Sequence, residues 1–155
     1  MQVLGILWPT LALVALVFVV WFTLFFQRTA HMKRNPPTAE TFADGDSSLR
    51  YFRPVEMPAN NLANLFEMPV LYFALVPVLL LTAQANHIQV VFAWIYVVAR
   101  VLHSYIHIAV KNVPARFLVY AISVAALMAM WIGFAVDLVA AASAFDAAHA
   151  GLGVV

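Results

Sequence analysis

Four apolar runs, at about residues 3–26, 62–83, 88–110 and 115–139, constrain this chain more than any other feature. Each is long enough to cross roughly 30 Å of hydrocarbon, a span that takes about 20 helical residues. The chain is 65% apolar and 10% charged, where soluble proteins run near 45–50% and about 25%. The expectation is an all-α integral membrane protein: one domain over 1–155, folded as a left-handed, antiparallel four-helix bundle in the lipid bilayer. The first run has no basic stretch before it and exceeds 20 residues, so it reads as a permanent helix rather than a cleaved signal.

The connections are unequal. The first, 27–61, holds most of the charge and four of the eight prolines; its Asp44-Gly45-Asp46-Ser47-Ser48 run reads as an exposed tip. The links at 84–87 and 111–114 are tight, and Pro114 suits the first turn of the fourth helix. The tail, 140–155, is small residues and Gly and is expected to fray. Of the eight Lys and Arg, all but Arg100 flank the first and third connections. Basic loops stay in the cytoplasm, so those two connections are expected there, with both termini on the opposite side. The basic residues form no stripe suited to nucleic acid. There is no cysteine, so any thiol chemistry needs a thiol carried by a ligand.

The intramembrane polar residues gather in one half of the bundle. The second run opens on Asn64-Leu65-Phe66-Glu67-Met68-Pro69. A charged side chain at a helix centre costs roughly 2.5–3.5 kcal/mol on insertion scales, so Glu67 calls for a partner. Arg100, the one basic residue deep in another run, is the expected one. Pro69 has no N–H for the Leu65 carbonyl, which frees a backbone acceptor nearby. Asn64 and Glu67 share a helix face; so do Arg100, His103 and His107, and so do Arg116 and Tyr120. Arg28 leaves the first helix at the same end. The spacing of His103 and His107 suits a metal, but the ligand set is too small for one, and no metal is expected. A structural role for each residue stays open: an ion pair fixing register, a helix cap at Asn64, an anchor at Arg116. Taken as one pocket, the arginines, Asn64, Glu67, the imidazoles and Tyr120 suit a small, anionic, peptide-like ligand, with an apolar co-substrate arriving from the lipid.

At these residues the chain resembles the MAPEG family, the membrane-associated proteins of eicosanoid and glutathione metabolism, in a bacterial-type form. Asn64-x-x-Glu67-x-Pro69, Arg100-x-x-His103 and Arg116-x-x-x-Tyr120 carry the resemblance by their order and spacing. It implies a homotrimer that binds glutathione between neighbouring subunits. It assigns Asn64, Glu67, Arg100 and His103 to the glutathione pocket, Tyr120 to its wall, and Arg116 to the catalytic role of thiolate stabiliser. Arg28 falls where the family has an Arg ending the first helix. His107 stands where a pocket Tyr is found, and Phe117 where the prostaglandin synthase branch has Ser. Leu62 and Ala63 replace the Arg or Gln that precedes the motif Asn in the eukaryotic enzymes.

The first functional reading is a glutathione-dependent transferase or peroxidase acting on apolar electrophiles or lipid hydroperoxides. The second is a non-catalytic lipid-binding scaffold or accessory subunit of a larger membrane complex. A proton path through Glu67, His103 and His107 is a third.

Overall fold

A computed structural model describes residues 2–151, and every regular element in them is helical. A short turn of helix, α1 (Gln2–Gly5), precedes α2 (Leu7–Arg34). The connection that follows carries α3 (Gly45–Phe52). Then come α4 (Met57–Asn64), α5 (Met68–Leu81), α6 (His87–Tyr105) and α7 (Val113–Gly151). Four spans are long and apolar enough to cross a membrane: Leu7–Arg34, Met57–Leu81, His87–Val110 and Val113–His149. The chain is an all-α, multi-pass membrane protein. Its surface exposes Trp8, Phe18, Phe26, Phe117 and Ile132, as a lipid-facing surface requires.

The core lies where the four spans meet. Leu13 and Val20 of α2, Tyr72, Leu75 and Leu79 of α5, Tyr96 and Val97 of α6, and Leu127 and Met130 of α7 are almost wholly buried. Polar groups inside the core pair across helices. Thr10 Oγ1 lies 3.0 Å from Tyr72 Oη, and the Tyr72 ring stacks on Tyr96 at 5.1 Å. At the end of the bundle near the 82–86 link, Gln89 Nε2 donates to the Met130 carbonyl and Asn86 Nδ2 to Asp137. In hydrocarbon such groups must be satisfied internally, so these bonds fix α6 against α7, the most extensive packing in the bundle.

Three elements depart from the sequence reading. The second span is two helices, because Pro69 cannot continue the hydrogen-bond ladder and the chain breaks at Leu65–Glu67. The run at Asp44–Ser48 is the start of α3 rather than a bare tip. The Asp44 carboxylate accepts from Ser47 N at 2.6 Å as an N-cap, and that backbone bond holds its carboxyl below the usual carboxylate range. The tail after Ala140, expected to fray, is helical: α7 continues to Gly151. Alanine is the strongest helix former, and Phe145 packs on His149 one turn later. Residues 152–155 of that tail lie outside the described residues.

Chain reversals after α5 and α6 place two non-glycine residues in the left-handed region, Ala83 at φ 56° and Lys111 at φ 59°. Substituting Ala83→Gly removes a penalty of roughly 1–2 kcal/mol and adds about 0.5–1 kcal/mol of unfolded-state entropy. A higher melting temperature in detergent is therefore expected, and a lower one would contradict the strained turn.

Candidate functional site

The broken second span is what opens the site. With α4 ending at Asn64, its carbonyl is released from the helix ladder, and Arg100 Nη2 donates to it at 2.8 Å. The acceptor that Arg100 takes is the Asn64 carbonyl, one residue before Leu65, whose carbonyl gets no N–H from Pro69. Arg100 is fully buried. Its guanidinium carbon lies 5.6 Å from the centre of the Tyr120 ring, a cation–π contact that links α6 to α7. Its Nε and Nη1 have no partner among the described residues.

The expected ion pair does not form. Glu67 is exposed, and Arg100 spends its one hydrogen bond on a backbone carbonyl. The physical reason is the break itself. Glu67 sits in the non-helical joint with φ −90° and ψ −94°, so the face-sharing of Asn64 and Glu67 that a continuous helix would impose is lost.

After Tyr105, α6 runs on into a wider π segment, Ile106–Val110, which carries His107. Such segments often occur at functional sites. The His103 and His107 rings meet edge to face at 5.7 Å, and His103 lies 5.6 Å from Tyr120. His103 Nδ1 is 3.2 Å from the Arg116 carbonyl. A carbonyl oxygen only accepts, so Nδ1 carries a proton, and Nε2 is an acceptor whenever the ring is neutral. That bond also docks the first turns of α7, whose start is capped by Asn112 Oδ1 accepting from Ala115 N at 3.0 Å.

Asn64, His103, Arg116 and Tyr120, with Val113 and Phe117, line one cavity of about 210 Å³. Arg116 and Tyr120 are half-buried in its wall, and Arg100 reaches it through Tyr120 and Asn64. His107 stands behind His103. Two residues stay outside: Glu67, exposed in the joint, and Arg28, which lines a separate cavity beneath α3. Sequence reasoning missed Asn61, Tyr96 and Ser104, all buried with unpartnered polar atoms. Helical spacing from the motif residues was the available signal. Asn61 precedes Asn64 by one turn, and Tyr96 and Ser104 bracket Arg100 at four residues on either side.

The sequence model of the MAPEG family matches residues 6–136, a stretch that contains the whole cavity. The chain belongs to the MAPEG family. This MAPEG protein is thus a membrane protein of the family of glutathione and eicosanoid metabolism. No curated protein and no solved structure matches the chain.

The bond from Arg100 to the Asn64 carbonyl carries a test. Arg100→Met leaves that carbonyl without its donor, at a cost of about 1–3 kcal/mol. Adding Pro69→Ala restores an N–H and lets α4 and α5 close into one helix. The double variant should then recover part of the loss in thermal unfolding. A double variant no more stable than Arg100→Met alone would show that the break does not create the acceptor.

Proposed function

We propose that this MAPEG protein is a glutathione-dependent transferase or peroxidase acting on apolar electrophiles or lipid hydroperoxides. The observation that carries the reading is the single cavity uniting Asn64, His103, Arg116 and Tyr120 from three helices. Its donor set fits glutathione. Arg116 meets a carboxylate or thiolate, Asn64 and His103 Nε2 offer acceptors for amide and ammonium groups, and Tyr120 supplies a hydroxyl. The buried, unpartnered Nε and Nη1 of Arg100 place a fixed positive charge beside them, where low dielectric makes it count.

When bound, glutathione supplies the thiol that this cysteine-free chain lacks. Arg116 performs the electrostatic part. Its charge favours the ionised form of a thiol, and its place in the first turn of α7 adds the positive end of the helix dipole. His103 holds the Arg116 backbone, so the imidazole positions that charge. At about 210 Å³, the cavity is smaller than the roughly 300–1,000 Å³ of ligand sites. One subunit therefore supplies part of a site, which a second copy completes in a homotrimer, with Glu67 exposed at the seam. The basic first and third connections favour a cavity at the cytoplasmic face, with both termini opposite.

The scaffold reading has one observation in its favour: Phe117, an exposed apolar ring, stands in the cavity wall. Ultraviolet difference spectra separate the two. Added glutathione should give a thiolate band in the wild type, and Arg116→Ala should remove the band and the turnover of a generic electrophile. Arg116→Lys should restore only part, because a point charge replaces a planar fork. A wild type that binds glutathione without a thiolate band would remove the catalytic role from Arg116.

Sidedness has its own check. A cytoplasm-dependent fluorescent reporter fused after Val155 should stay dark; a bright fusion would move the site to the other face.

A further inference from the structure

A second cavity, of about 540 Å³, lies beneath α3 and is larger than the first. Arg28, Ser48, Phe52, Glu56, Ala59 and Asn60 form most of its wall. The Arg28 guanidinium carbon lies 4.6 Å from the centre of the Phe52 ring, and its Nε is buried with no hydrogen-bond partner. Glu56 stands in the same wall, half-buried, and forms no ion pair with Arg28. One concave site thus presents a fixed cation and a fixed anion that do not neutralise each other. That is the complement of a zwitterion.

Its depth says which zwitterion. On α2, the turns just before Arg28 carry Trp21, Phe22, Phe25 and Phe26, in mutual ring contact, stacked or edge to face, and about half exposed or more. Trp is enriched at headgroup level, and Trp21 marks that level on α2. The cavity rim continues the pattern, with Phe42 and Leu49 both largely exposed, while Arg50 and Arg53 next to them are exposed and charged. Apolar rim and basic flank together describe a segment lying in the interface plane. A cavity rimmed this way opens toward lipid rather than toward bulk water.

We propose that this cavity binds the headgroup of a zwitterionic aminophospholipid, its phosphate on Arg28 and its primary ammonium on Glu56. Ser48 and Asn60 add acceptors for the remaining ammonium hydrogens. A quaternary ammonium has no such hydrogens, and Phe52, the ring that would cradle it, is already covered by Arg28. The site therefore prefers phosphatidylethanolamine over phosphatidylcholine, and Glu56 disfavours phosphatidylglycerol by offering a carboxylate where that lipid has no cation.

Native mass spectrometry of the full-length protein tests this, with delipidated protein offered the three lipids separately. The wild type should retain phosphatidylethanolamine over the other two by about tenfold, the discrimination that one charge-assisted hydrogen bond supplies. Glu56→Gln, nearly isosteric, should erase the preference. Ala59→Trp, which fills the cavity without changing charge, should abolish retention of all three while melting as the wild type does. Equal retention of the three lipids by the wild type would overturn the proposal. So would an unchanged preference in Glu56→Gln, or displacement of the lipid by an equal concentration of soluble phosphoethanolamine, which would make the ligand a free metabolite.

Discussion

The structure depends on one hydrogen bond, from Arg100 Nη2 to the Asn64 carbonyl at 2.8 Å. A guanidinium wholly buried among apolar helices is tolerated only where the backbone or a ligand meets it. Here the backbone does so, because Pro69 ends one helix and begins another. A bond from a charged donor is worth about 1.5–3 kcal/mol, and this one joins α4 to α6. Tyr120 then lies against Arg100, and His103 reaches the Arg116 carbonyl. The third and fourth spans are thereby set relative to the second at the end that carries the site.

The two ends of the bundle use polar groups differently. Near the 82–86 link, Asn86, Gln89 and Asp137 pair with one another or with backbone, and of these only Gln89 Oε1 is buried without a partner among the described residues. Near the candidate site, Arg100, His103 and His107 each keep a buried polar atom without a partner. Buried polar groups in folded proteins are nearly always satisfied. The bonds at the first end register α6 against α7, and the unpartnered groups are more numerous near the candidate site. The MAPEG family is known for glutathione use in general, and glutathione is the ligand we propose for these donors and acceptors.

Hydropathy alone located the four spans, because a bilayer sets a length that no short apolar run meets. Helical spacing brought Asn64, His103, Arg116 and Tyr120 to one end, and the structure gathers them in one cavity. The Glu67–Arg100 pairing failed for a definite reason. Face-sharing presumes a continuous helix, and the joint at Leu65–Glu67 turns Glu67 outward. The π segment around His107 was equally out of reach, since its extra residue per turn leaves no mark in composition. Helix α3 was legible in principle. Asp44 followed three residues later by Ser47 is an N-cap pattern, hidden by the glycine between them. The α7 extension to Gly151 follows from alanine's propensity, which outweighs the small side chains' lack of packing.

Isothermal titration of glutathione into the purified, lipid-reconstituted protein tests the central claim most directly, because it asks only whether the polar end of the bundle receives a ligand of this chemistry. The account predicts saturable binding that is weakened by Arg100→Met and Asn64→Leu, and left intact by Asn86→Leu at the opposite end. Absence of binding, or binding lost equally from changes at either end, would contradict it.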